Sequence, residues 1–413
     1  GDFRHATVRC VGMGRCRIPE PGAVMCPSFS VTREEEHTTR GRAHLLFEML
    51  QGDVITGGWR SPEVKDALDL CLACKGCTND CPVSVDMPTY KAEFLHHHFK
   101  GRLRPRHAYA MGLIDLWAAG GSRAAGAANL IGKAPLLNRF LNQAAGVAKQ
   151  RPMPALARVT LRQWFAGRPV VNAGGPRVLM WSDTFSNFFD AAVGIAGVEA
   201  LEAAGYQVVL PRKRLCCGRP LYDYGFLGLA RRYLRRCVDG LRDEIRSGTP
   251  VVGLEPSCLA VFKDELPGLM PGDEDAARLA ASSLHFSEFL ATRDHPRPLP
   301  QLQGKALVWG HCHHRATGGL GAEEQVLRAV GLDVTMAPPG CCGLAGSWGF
   351  EAGHYDLSMQ IAERGLLPAV RGADPETLIV ADGFSCRTQL GQSGLGRKAV
   401  HLAQVLAAAR QHS

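Results

Sequence analysis

Residues 71–82 read CLACKGCTNDCP, which sets Cys71, Cys74, Cys77 and Cys81 in a Cys-x2-Cys-x2-Cys-x3-Cys-Pro run. Three thiolates two residues apart can wrap one [4Fe–4S] cubane, and the fourth, one short turn on, typically ligates a different cluster. A CxxC pair alone would also suit zinc or a redox dithiol. Four cysteines at these gaps, closed by Pro82, point instead to iron–sulfur chemistry and electron transfer. They also call for a second cysteine set elsewhere.

Cys10, Cys16 and Cys26-Pro27 supply that set. Cys10 to Cys16 has the length of Cys-x2-Cys-x2-Cys, but Met13 stands in the middle, and the gap to Cys26 is nine residues rather than three. Exchange of the fourth ligand, as in two-cluster ferredoxins, assigns Cys71, Cys74, Cys77 and Cys26 to a complete cluster. It leaves Cys10, Cys16 and Cys81 as a second set, one thiolate short. A thioether is a weak donor to iron, so Met13 is a poor replacement. The second centre is then a [3Fe–4S] cluster, or a [4Fe–4S] cluster with a non-cysteine ligand such as His37. The competing reading is that Cys10 and Cys16 bind nothing.

A chain of 413 residues suggests about three domains. Its 46% hydrophobic content is ample for a core. Fifteen cysteines in this length are not a small secreted disulfide scaffold, and thiolate ligands must stay reduced, which points to a cytoplasmic protein. The start, GDFRHATVRC, lacks an initiator Met and an apolar stretch, so the chain is expected to be a piece of a longer polypeptide or a trimmed form. No run reaches the roughly 20 apolar residues of a spanning helix, and AYAMGLIDLWAAGG (108–121) is short and carries Asp115.

Charge is unevenly placed. Residues 100–168 hold twelve Lys or Arg against the single acid Asp115, a local +11 in a chain of net +8. Leu136, Leu137, Phe140 and Leu141 share one helical face there. Such a basic amphipathic segment suits an anionic membrane surface, on the inner face of the cell membrane, or else a helical connector whose basic face is solvated or docks an acidic partner domain. No nucleic-acid-binding module accompanies the charge, so nucleic acid is not an expected partner. The triplet His96–His98 reads as a solvated helix end.

Residues 173–413 contain one unit twice. PRVLMWSDTF (176–185) matches KALVWGHCHH (305–314), LEAAGYQVVLPRKRLCCG (201–218) matches LRAVGLDVTMAPPGCCG (327–343), and VVGLEPSC (251–258) matches LIVADGFSC (378–386). The offsets are 128 for 184 to 312, 125 for 216 to 341, and 128 for 258 to 386. Apolar runs at 178–181, 208–210 and 251–254 alternate with helical patterns, which predicts a parallel α/β sheet in each copy. Ligands collect outside the carboxyl ends of such strands. Cys312, Cys341, Cys342 and Cys386 can therefore converge, as can Cys216, Cys217 and Cys258, with Thr184 in the place of Cys312. Gly218 and Gly343 would let the backbone turn beside a bulky ligand. Soft thiolates select zinc or iron–sulfur; structural zinc and a redox-active thiol pair are the rivals. Cys237 reads as a buried structural residue. His311, His313 and His314 either tune or ligate a metal, or serve packing and capping.

The two Cys-Pro motifs, REEEHTTRGRAHLLFEML (33–50) and ALDLCLACKGCTNDCPVSVDMPTYKAEFL (67–95) together resemble the iron–sulfur, C-terminal portion of bacterial fused FAD-linked 2-hydroxy-acid dehydrogenases. Those are the D-lactate dehydrogenase, glycolate oxidase and D-2-hydroxyglutarate dehydrogenase types. The CCG repeats are similar to the cysteine-rich domain of heterodisulfide reductase. They also resemble the iron–sulfur subunits of glycolate oxidase and anaerobic glycerol-3-phosphate dehydrogenase. The resemblance implies an FAD domain on a preceding segment or partner subunit, and a role for this chain in carrying electrons from flavin to a quinone or other acceptor. This chain departs from the heterodisulfide reductase pattern, which ends in Cys-x2-Cys, because Glu255 and Gly383 hold the leading positions. The alternative function is a thiol–disulfide reductase with the CCG site catalytic; a non-catalytic zinc assembly module is a further rival.

The expected architecture is multidomain. It comprises an all-α ferredoxin-like domain (1–100), a basic helical linker (101–172), and a duplicated α/β cysteine-rich region (173–300 and 301–413).

Overall fold

The structure, a computed structural model, describes residues 3–18 and 24–412. Among the described residues of the first hundred, all regular structure is helical. Helices Pro27–Thr32, Thr39–Gln51, Pro62–Asp69 and Met87–His98 surround the cysteine loop. Their starts follow local chemistry. Thr38 accepts from Gly41 N at 2.8 Å and Asp86 from Thr89 N at 3.3 Å, each satisfying an orphan first-turn donor. Leu46, Val64, Leu68, Met87 and Phe94 form the core beneath Cys16, Cys26, Cys71 and Cys77. The histidines at 96–98 are not the solvated end expected of them. His98 is buried and its Nδ1–H donates to Trp59 O at 2.9 Å, while His97 stacks on the Trp59 ring.

The basic stretch forms helices Arg106–Gly112, Ile114–Gly121, Ala125–Lys133, Pro135–Ala145 and Leu161–Ala166. It is fastened along its length to the C-terminal α/β region. Arg104 donates to Tyr224 O and Gly225 O. The buried Arg151 donates to Gly349 O, Gln392 Oε1 and Ser358 Oγ. The apolar face of Leu136, Leu137, Phe140 and Leu141 forms but looks outward, with Leu136 81% and Phe140 67% exposed.

Two four-stranded parallel sheets complete the fold. The first has β1 (Arg177–Trp181), β2 (Gln207–Val209), β3 (Val251–Gly253) and β4 (Ser283–His285), in the order β2-β1-β3-β4. The second has β5 (Gly304–Val308), β6 (Leu332–Met336), β7 (Leu378–Val380) and β8 (Ala399–Val400), in the order β6-β5-β7-β8. Every neighbouring pair is parallel. The apolar runs seen in the sequence became β1, β2 and β3. Val178, Met180 and Val252 of one sheet share a single core with Val308, Val334 and Val380 of the other. Val198 and Leu201 of the helix Ala191–Ala203 join that core, as do Leu402 and Leu406 of the helix Leu402–His412. Strand order reverses between β1 and β3 and again between β5 and β7, the two crevices where ligands collect in open parallel sheets.

Candidate iron–sulfur site

All fifteen cysteines are unpaired thiols. Cys71, Cys74 and Cys77 lie close enough for each charge to disfavour the next. Burial pushes Cys74 up to about 12 and Cys77 well above the ordinary thiol range. Thiolates held in such a place need a cation in contact, which a metal supplies. The backbone suits an anionic cluster as well. Ala73 (φ 51°) and Lys75 (φ 58°) flank Cys74 in left-handed conformation, uncommon for residues with a side chain. Alternation of this kind turns N–H groups into a concavity that binds anions, many iron–sulfur centres among them.

Cys10 faces Cys16 and Cys81, so these three gather. Cys26 stands against Cys16, in the same core as Cys71 and Cys77. The contact between Cys16 and Cys26 lowers the first to about 6 and, with burial, raises the second. Thr39 N donates to Cys26 Sγ at 3.0 Å and Arg40 N to Cys16 Sγ at 3.4 Å, the kind of bond that tunes cluster potential. Met13 is 62% exposed. His37 is engaged locally, with Nδ1 2.7 Å from Thr32 Oγ1 and Nε2 3.5 Å from Glu36.

In the second sheet Cys312 follows β5, Cys341 and Cys342 follow β6, and Cys386 follows β7. All four are buried. Cys342 lies against both Cys341 and Cys386, and this contact lowers it while raising its neighbours. In the first sheet Cys217 Sγ is 3.2 Å from Cys258 Sγ. Cys216 adjoins Cys217 and the Thr184 hydroxyl, so Thr184 sits where a fourth thiol would. Gly218 (φ 76°) and Gly343 (φ 84°) make the expected left-handed turns, and a Cβ on Gly343 would lie 2.1 Å from Ser358 O. A Cβ on Gly383 would meet the His311 ring at 2.1 Å, so a cysteine there would require His311 to move. Glu255 accepts from Phe384 N at 2.8 Å and so ties the two sheets' crevices together.

Both crevices open into one cavity of about 100 Å³. Its walls carry Cys216, Cys217, Cys258 and Cys312, apolar residues such as Phe185, Phe189 and Phe384, and Cys74. Cys74 packs with Val24 and Cys312. Bonds from both sheets hold the loop around it. Arg219 and His313 Nε2–H donate to Ala73 O at 2.9 and 3.0 Å. Asn79 donates to Arg315 O, and Trp348 Nε1 to Asp69 O. Lys75, whose side chain has no exposed surface, pairs with Asp264, Glu265 (3.3 Å) and Asp86 (3.4 Å). Burial opposes its charge, but Glu265, Asp86 and Asp264 outweigh burial and raise it.

Sequence reasoning missed Lys75, Arg219 and Glu265. The sole available signal was a lysine inside the cysteine run. His311, read either as a metal residue or as a cap, caps its helix, its Nδ1 accepting from His313 N at 3.2 Å, and the ligand atoms of His311, Cys312 and His313 lie within 4.8 Å of one another. Cys237 is fully buried, as expected, with its thiol toward Cys216 O.

Comparison with known proteins follows the same division. A 4Fe-4S dicluster domain family matches residues 6–85, and a cysteine-rich (CCG) domain family matches residues 186–263. D-2-hydroxyglutarate dehydrogenase of Pseudomonas putida is 27% identical over 94% of this chain and 42% of its own length. One subunit of the anaerobic glycerol-3-phosphate dehydrogenase of Escherichia coli is 28% identical over 62% of this chain and 65% of its own. Lactate utilization protein A of Bacillus licheniformis is 30% identical over 56% of this chain and 98% of its own. The chain belongs to the family of lactate utilization protein A, and within the chain a 4Fe-4S dicluster domain is joined to a CCG cysteine-rich domain. It spans less than half the length of the D-2-hydroxyglutarate dehydrogenases it matches.

Proposed function

We propose that this chain is the electron-transfer part of an oxidoreductase, an FAD-linked 2-hydroxy-acid dehydrogenase of the D-lactate, glycolate or D-2-hydroxyglutarate kind. FAD belongs to a partner domain or subunit, and a quinone or other redox carrier is the acceptor. The observation that carries this reading is the place of Cys74, a member of the ferredoxin-like run that packs against Cys312 of the CCG region. In this reading Cys71, Cys74, Cys77 and Cys26 hold a complete [4Fe–4S] cluster. Cys10, Cys16 and Cys81 hold a second, incomplete one. Cys312, Cys341, Cys342 and Cys386 hold a further centre, and Cys216, Cys217 and Cys258 a partial one.

Such clusters supply one-electron steps at potentials set by ligands, burial and hydrogen bonds to sulfur. The chain's part is to keep these thiols reduced, buried and hydrogen-bonded, to place the buried Lys75 charge beside Cys74, and to line the cavity with apolar walls. The shared strand order of the two sheets supports duplication, with boundaries at 100, 172 and 300. The exposed Leu136 and Phe140 on a basic segment support a peripheral seat on the inner face of the membrane. No helix among the described residues is long and apolar enough to cross one.

Replacing Cys74 by Ser in the intact enzyme should leave substrate-dependent flavin reduction in place and abolish transfer to the acceptor. A variant that still reduced its acceptor at the normal rate would defeat the relay. The 3.2 Å contact of Cys217 and Cys258 at the cavity favours thiol–disulfide reduction as the second reading; disulfide-dependent oxidation of the reduced protein would select it.

A further inference from the structure

Beneath Cys312, away from the cavity, the second sheet buries a cluster that the electron-transfer reading does not use. His314 lies on the helix Cys312–Thr317, Glu323 on the helix Gly321–Ala329, and Asp382 on the loop after β7. They are 1%, 1% and 4% exposed. One ligand atom from each lies within 4.8 Å of the others. We infer that His314, Glu323 and Asp382 form a divalent-cation site, best matched to zinc, that ties the Cys312 helix to its two neighbours.

Ordinary pairing does not account for the cluster. His314 Nδ1 and Glu323 Oε1 have no hydrogen-bond partner although both are buried. Unpaired polar atoms at such depth are rare, and each calls for a water, an ion or a strain explanation. Burial and the Asp382 charge both disfavour the Glu323 carboxylate, so an ionised Glu323 needs a cation in contact. Arg315 offsets part of the cost at Glu323, while Asp382 Oδ1 accepts from Leu402 N at 2.9 Å and leaves Oδ2 without a hydrogen-bond donor from either neighbouring histidine. His401 cannot serve, because its Nδ1 accepts from Ala403 N and its Nε2–H donates to Leu254 O.

The distance from His314 to Glu323 suits a metal better than a hydrogen bond. His314 Nδ1 stands 3.5 Å from Glu323 Oε2, long for a charged hydrogen bond. Donors bound at 2.0–2.1 Å around a tetrahedral zinc stand roughly 3.4 Å apart. The ring orientation also fits. Ser287 Oγ lies 3.4 Å from His314 Nε2, so a proton on Nε2 points to serine and leaves the Nδ1 lone pair toward the carboxylates. Ligating histidines are commonly oriented in this way through the second nitrogen. One imidazole and two carboxylates make a nitrogen–oxygen set, with water as the fourth donor, distinct from any all-thiolate zinc site in the CCG crevices.

The test uses the full chain with its iron and sulfide reconstituted anaerobically. It is equilibrated with one equivalent of zinc, desalted, and examined by elemental analysis and zinc K-edge absorption. One zinc per chain with only nitrogen and oxygen neighbours is expected. Glu323→Gln and His314→Gln should each lose that zinc while iron and sulfide stay at the parent level, which also shows that the variants fold. Zinc that washes out of the parent protein, shows sulfur neighbours, or survives both substitutions would overturn the site and leave a polar pocket filled by water. Iron and sulfide are counted separately, so such a failure is distinguishable from failure of the iron–sulfur reading.

Discussion

The two sheets share strand order and carry their cysteines at the same edge, yet they treat the residues around Cys74 differently. The first sheet's half presents three thiols and Thr184, and it grips the loop by charge, through Asp264, Glu265 and Arg219 around Lys75 and Ala73. The second presents four thiols, sets Cys312 beside Cys74, and adds neutral hydrogen bonds from His313 and Trp348. One architecture thus divides into a half that docks on the loop by charge and a half that carries the fuller set of thiols. Side-chain identity at a few strand ends makes the division, since the backbone offers both halves the same positions. The pair Asp183 and Glu255 shows this on a small scale: at the offset of 128, His311 and Gly383 stand in their places and pack on each other.

The largest expected effect concerns the thiols. Cys342→Ser, which removes the thiol lying against both Cys341 and Cys386, should lower iron by about four atoms per chain. Cys217→Ser should lower it far less, and Thr184→Cys should raise first-half occupancy. Equal losses at Cys342 and Cys217, by iron and acid-labile sulfide analysis, would erase the difference between the halves.

Next comes the charge lock. Lys75→Met leaves Glu265 buried without its lysine, and removal of one partner from a buried ion pair costs about 3–5 kcal/mol. Denaturant unfolding should register that loss, while iron bound at Cys312, Cys341, Cys342 and Cys386 persists. A cost under about 1 kcal/mol, the range of exposed pairs, would mean that charge does not hold the first half to the loop.

The smallest effect is pH-dependent. Burial, and then the Glu255 charge, raise Asp183 from 3.8 to about 6. A carboxyl raised on folding binds its proton more tightly in the native state. Its contribution is therefore fully present below about pH 4 and lost as pH rises through 6, on the order of 2–3 kcal/mol. Asp183→Asn should flatten that slope between pH 4 and 7 in unfolding experiments. An unchanged slope would show that Asp183 is not the titrating group.

Much of the site was legible because metal ligation imposes short, regular spacing. The run at 71–81 and the repeated CCG pairs announce thiolate chemistry without any tertiary information. β1, β2 and β3 were legible from the apolar runs at 178–181, 208–210 and 251–254, whereas β4, Ser283–His285, has one apolar residue between two polar ones and β8 has only two residues. Lys75 looked like any surface lysine, because its partners Asp264 and Glu265 lie nearly two hundred residues away. His97 and His98 misled for a similar reason: Trp59, which meets both, comes from another helical segment.

Ligand type, the count of thiols, the alternation of strand and helix and the missing fourth cysteine at Thr184 were written in the sequence, because they are properties of residue identity and near spacing. Which thiols face one another was decided only by the tertiary structure. Cys26 lies against Cys16, Cys74 against Cys312, and His314 against Glu323 and Asp382. These contacts depend on how parallel strands gather their carboxyl ends and on which buried charges can be paired across the chain, and no local pattern encodes either.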